Sequence, residues 1–151
     1  MKRTYFFFAV ALASAGSAAT VASAQRSLPA THESHAATVQ LRHTNFGNIL
    51  VSSSGRTLYE FTRDHGTKSS CATTRGCSAV WPSLKASGRP TAGSGVKASL
   101  LSTTSGNQVT YAGHPLYVYS RDSGPGQTSY VGAKEFGGTW YAINASGGTV
   151  K

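Results

Sequence analysis

The sequence predicts an all-β chain with at most short helical turns, and three observations lead there. Charged residues make up only 13% of the 151 residues while Gly supplies 17, which disfavours a helical bundle or coiled coil. Apolar and polar residues alternate over short runs bounded by Gly, Pro, Asn and Ser, the pattern of strands and turns. One hairpin-like segment also occurs twice, 58 residues apart. A unit doubled at that spacing leaves one sheet face wet if alone and buries it against its copy. The expected architecture is therefore a single compact domain of two hairpin-containing repeats in pseudo-twofold relation, sandwich- or barrel-like.

The elements follow in order. Lys2 and Arg3, the apolar run Tyr5 to Leu12 and the small-residue site Ala22-Ser23-Ala24 form the pattern of an export signal covering 1–24. No apolar run reaches the ~18 residues of a membrane span, and no Cys stands near the predicted cut to take a lipid anchor. The expected location is periplasmic, cell-surface or extracellular. Residues 25–37 (QRSLPATHESHAA) are polar and aperiodic, a flexible lead. The duplicated β domain is expected over 38–151, with repeat one at about 46–99 and repeat two at about 105–150. Thr38–Thr44 alternates as a strand, and 48–53 is a short apolar strand. Ser54-Gly55 is a turn signal, and Arg56–Thr62 returns as a second strand to make a hairpin. Residues 63–99 read as a long loop anchored by Trp81, with single helical turns possible at 78–83 and 95–101. Residues 107–111 and 114–120 are strands about Ala112-Gly113, 123–132 is a loop, and 139–143 is a last strand.

Two cysteines, Cys71 and Cys77, stand six apart. In an exported chain such a pair reads as a disulfide fixing the shape of its loop, with a chain-entropy contribution of about 2 kcal/mol. The rival reading, half of a metal site, wants a second close pair of ligands that the sequence does not supply.

In the repeat, Gly55-Arg-Thr-Leu58-Tyr59-Glu-Phe61-Thr-Arg63-Asp64 aligns with Gly113-His-Pro-Leu116-Tyr117-Val-Tyr119-Ser-Arg121-Asp122, and Trp81 matches Trp140 after one inserted residue. The period of two puts Tyr59, Phe61 and Arg63 on one strand face and Tyr117, Tyr119 and Arg121 on the other copy's equivalent face. Both copies read Y-x-(F/W/Y)-x-x-D. On these residues, together with Cys71…Cys77…Trp81-Pro82 and Gly137-Gly138…Trp140-Tyr141, the chain over about 46–150 resembles the bacterial secreted-repeat family of unknown function, predicted lipoproteins carrying that motif. The resemblance implies an exported, envelope-associated protein and no established activity; the lipid anchor of many relatives is not implied where its cysteine is missing.

The candidate binding residues are Tyr59, Phe61, Asp64, Tyr117, Tyr119 and Asp122. The aromatics can stack sugars from a β face or form the core of a small domain. Asp64 and Asp122 can cap turns or, if they converge in an open cleft, act as a hydrolase pair. No catalytic residue, cofactor or metal ligand is assigned: there is no G-x-S-x-G elbow, and His32-x-x-His35 in the flexible lead is only a weak metal signal. The leading expectation is a non-catalytic exported module. Its expected partner is an anionic cell-wall polymer, a carbohydrate or an envelope protein, since the formal charge is +9; nucleic acid is not the expected partner of an exported chain. The alternatives are an envelope hydrolase using Asp64 and Asp122, and a metal- or redox-linked accessory protein.

Overall fold

The computed structural model describes residues 37–151, so the export signal and all but the last residue of the lead lie outside the described residues. Strands β1 (Thr38–Thr44) and β2 (Gly47–Ser52) form an antiparallel hairpin in the register Val39↔Ser52 to Thr44↔Gly47. The Ser54-Gly55 turn then folds the chain back on β2 through a Val51↔Thr57 bridge and a bond from Leu58 N to Leu50 O. It continues as β3 (Tyr59–Phe61). A 3-10 turn at Cys71–Thr73 and a one-turn helix α1 (Cys77–Val80) follow. β4 (Thr91–Ala92) runs parallel to the start of β1. After a 3-10 turn at Ala98–Leu100, β5 (Leu101–Thr103), β6 (Val109–Tyr111) and β7 (His114–Pro115) make a second antiparallel sheet. β8 (Ala133–Glu135), β9 (Gly138–Ile143) and β10 (Thr149–Val150) complete a third, in which β9 pairs with β3, β8 and β10. The described fold is all-β with short helical turns and is sandwich-like. Its three separate sheets form no closed barrel, which corrects that alternative.

The halves interlock more deeply than face-to-face packing. Tyr59 and Tyr117 exchange both backbone bonds, at 2.9 and 3.0 Å, so the two motif strands meet antiparallel at their tyrosines. Each motif strand then takes its other neighbour from the opposite repeat. Tyr59 pairs with Ala142 of β9, and Tyr117 pairs with Ser83 in the segment after Trp81. Three residues on, Thr62 N donates to Thr139 O at 3.0 Å and Ser120 N donates to Val80 O at 2.9 Å. The tryptophan-bearing strand of each repeat is thus built into the sheet of the other. Composition alone reads 82–86 as loop, because Pro82 and two polar residues carry no strand signal. The segment is nevertheless bonded on both sides, with Leu84 N to Leu116 O, Val109 N to Leu84 O and Ala86 N to Asn107 O.

Alternation along the motif strands divides the interior in two. Leu58 and Leu116 enter an aliphatic core with Val39, Leu50, Val109 and Ile143. Tyr59, Phe61, Tyr117 and Tyr119 enter an aromatic core with Trp81, Trp140 and the cystine. β8 and β9 are joined by Phe136 and Gly137, both at positive φ (53° and 77°), the backbone of a tight two-residue hairpin turn.

Candidate functional site

The aromatic core is the residue-level expression of the interlock. Trp81 and Trp140 stack at 4.0 Å and 1° between planes. Phe61 stacks on the outer face of Trp140 at 4.1 Å, and Tyr119 tilts against Trp81 at 4.7 Å. Tyr59 meets Trp81 edge-on and Tyr117 meets Trp140 edge-on, each at 5.1 Å. Each of these six rings has its counterpart in the other copy, and the stack Phe61, Trp140, Trp81, Tyr119 alternates between repeats. Tyr59, Phe61, Tyr117 and Tyr119 are at most 3% exposed, so these four rings offer no face to a ligand. Of the two places expected for them, a β face or the core of the domain, the four rings occupy the core. The indole of the opposite repeat covers Phe61 and Tyr119, the indole of their own repeat meets Tyr59 and Tyr117, and burying an aromatic of this size outweighs leaving it wet.

The two aspartates sit at the ends of the exchanged tyrosines. Tyr117 Oη donates to Asp64 Oδ2 at 2.8 Å and lies 2.7 Å from Ser69 Oγ. Asp64 Oδ1 accepts from Ser70 N at 2.7 Å, a turn cap reaching six residues ahead. In the mirror arrangement Tyr59 Oη points to Asp122 Oδ2 at the longer distance of 3.4 Å. The motif therefore joins the tyrosine of each repeat to the aspartate of the other. The two carboxylates occupy separate hydrogen-bonding sets, and neither lines the shallow pocket of about 360 Å³ at the β8–β9 turn, which runs from Lys134 to Thr139.

Electrostatics distinguish the copies. Burial raises the Asp64 carboxyl above its ordinary range, and the bonds from Ser70 N and Tyr117 with the nearby His114 oppose it. Burial raises Asp122 to about 6, opposed by the Arg56 charge and Tyr59. The basic residue after each motif glycine, Arg56 or His114, thus faces the aspartate of the other repeat. His114 also pairs with the buried Glu60 through Nδ1 at 2.8 Å. Arg56 donates to Tyr119 O, and its Nε is buried without a partner, as are Asp122 Oδ1 and the Trp140 indole nitrogen. Trp81, by contrast, donates to Glu135 Oε2 at 2.7 Å.

Cys71 and Cys77 form the expected disulfide, with Cα atoms 5.3 Å apart, packed against the aromatic core. Among the described residues no three His, Cys, Asp or Glu side chains gather as a metal site, and no helix is long and apolar enough to cross a membrane. Sequence reasoning missed Arg56, Glu135 and Tyr130. The first had a signal, since the residue after the motif glycine is basic in both copies. Tyr130, whose ring centroid is 3.6 Å from that of Tyr119, had none, because the first repeat has no aromatic in its loop.

No curated protein and no solved structure matches the chain. Residues 99–144, which carry the second motif copy with its Tyr117, Tyr119 and Asp122 inside the interlocked core, match the family described as a secreted repeat of unknown function.

Proposed function

We propose that this protein is a non-catalytic module of the cell envelope that binds an anionic polymer. One observation carries the reading. Ten of the eleven Lys and Arg side chains in the described residues are exposed, Arg56 being the half-buried exception, whereas no Asp or Glu side chain there is exposed. The carboxylates are turned inward to Tyr59, Tyr117, Trp81 and His114. Among the described residues the exposed charged side chains are therefore of one sign, a distribution that attracts polyanions over a distance set by ionic strength. The match of residues 99–144 to a secreted repeat supports seeking such polyanions outside the cytoplasm.

Retention of the purified mature chain on isolated envelope material tests the proposal. It should bind at low ionic strength and elute in molar salt, and envelope material stripped of its anionic polymers should not hold it. Equal retention on stripped material, or no retention at low salt, would sink the reading.

A further inference from the structure

We infer that the second motif copy is a receptor for a hydroxyl-bearing anion, with Arg42, Arg56 and Arg121 taking the anionic oxygens and Asp122 the hydroxyl. The inference rests on the polyanion reading and assigns it a site. Its basis is a difference between two places that the duplication makes equivalent.

In the first copy both carboxylate oxygens of Asp64 are satisfied, by Ser70 N and Tyr117 Oη. In the second, Gln127 Oε1 takes the loop amide of Ser123 at 2.6 Å, and Asp122 is left with the 3.4 Å approach of Tyr59. Asp122 Oδ1 and Arg56 Nε are both buried and unpartnered, and their residues meet at Tyr119 O, which accepts from the Arg56 guanidinium and from Asp122 N at 3.2 Å. Buried polar atoms are seldom left so, and the exceptions mark the place of a water or a ligand. An orphan acceptor beside an orphan donor is matched by one hydroxyl group, which donates to the first and accepts from the second.

The surroundings add the anion. Arg42 lies along the Gly124-Pro125-Gly126 loop. Its Cδ is 2.6 Å from the position a Cβ on Gly126 would take, and a guanidinium nitrogen is 3.2 Å from that of a Cβ on Gly55. Arg121, exposed, adjoins Asp122 in sequence. All three cations are arginines, whose planar forks suit phosphate or carboxylate oxygens. The loop is held by Gly126 N to Gly55 O at 2.8 Å and by Tyr59 Oη to Gln127 O at 3.4 Å. A hydroxyl reaching the buried pair therefore displaces this loop.

The test titrates the isotopically labelled mature chain with a glycerol phosphate oligomer, an oligogalacturonate and inorganic polyphosphate, following amide signals by NMR. The first two separate a polyol phosphate from an acidic glycan as the source of the anion, and the third lacks carbon-borne hydroxyls. Binding of at least one hydroxylated probe should shift Gly55, Ser123 and Gly126. Arg42→Gln should weaken it about tenfold, the scale of one lost charge-assisted contact, and Lys85→Gln, which removes the same charge from the general surface, should weaken it much less. Asp122→Asn is the decisive variant. Removing a negative charge favours any anion, so polyphosphate should bind at least as tightly, while the hydroxylated probe should bind more weakly. Equal changes for all three probes, shifts spread evenly over the surface, or full affinity in Arg42→Gln would overturn the site and leave the general polyanion reading standing. Failure of all three probes to bind overturns both.

Discussion

Tyr59 and Tyr117 occupy matching places, yet their hydroxyls do unequal work. Tyr117 Oη makes short contacts to Asp64 and Ser69, whereas the Asp122 and Gln127 partners of Tyr59 lie at 3.4 Å. Tyr117→Phe leaves a buried carboxylate oxygen unpaired and should lower unfolding free energy by about 1–3 kcal/mol; Tyr59→Phe should lower it by less, both read from urea denaturation. Asp122 supplies a pH dependence. Its folded pKa is raised from 3.8 to about 6, so the native state holds its proton more tightly than the unfolded chain. The stability from this group is full below 3.8 and is lost as pH rises through about 6. Asp122→Asn should flatten that part of the melting-temperature profile, and an unchanged slope would count against it. The identities of these residues were legible in the sequence because the motif repeats. Their partners were not, because a linear alignment pairs Tyr59 with Tyr117 as equivalents and is silent on which aspartate each one reaches.

Among the elements, β9 depends most on a missing side chain. A Cβ on Gly138 would lie 2.5 Å from Phe61 Cε2 and 2.9 Å from Arg63 Cγ, so the ring that stacks on Trp140 lies against bare backbone. Gly138→Ala should destabilise by about 1–3 kcal/mol through overpacking, measurable as a lower denaturation midpoint. The long strands β1, β2 and β9 were readable from alternation. The bridging segment after Trp81 was not, since its strand character comes from Leu116 and Asn107 on either side rather than from its own residues. The two loops that follow the motifs are held by different means. The first has the Cys71–Cys77 bond against the aromatic core; the second has Tyr130 and Phe136 packed there, with Arg63 donating to Phe136 O at 2.7 Å. Reduction should therefore lower stability by about 2 kcal/mol and raise hydrogen exchange around Ser70, while the amides near Tyr130 keep their protection.

At the scale of the whole molecule, neither motif strand is completed by its own repeat, since Tyr59 lies between Tyr117 and Ala142 and Tyr117 between Tyr59 and Ser83. Trp140→Ala removes a ring contacted by both halves and should cost about 3–5 kcal/mol, with loss of near-ultraviolet dichroism from all the stacked aromatics together. That the molecule was doubled could be read from the chain; that the doubling is an exchange could not, because strand order is decided by pairing between distant residues, from Ser83 with Tyr117 to Tyr59 with Ala142. This has a kinetic meaning for a chain made from its amino end. A polypeptide that emerges amino end first presents Tyr59 and Phe61 long before the β9 strand that must lie beside them. The leading half must wait as an open thread, slow to settle because its contacts are distant. The short cystine ring is an exception: it can close at once, shaping the turn that carries Trp81 toward the place its partner will later fill.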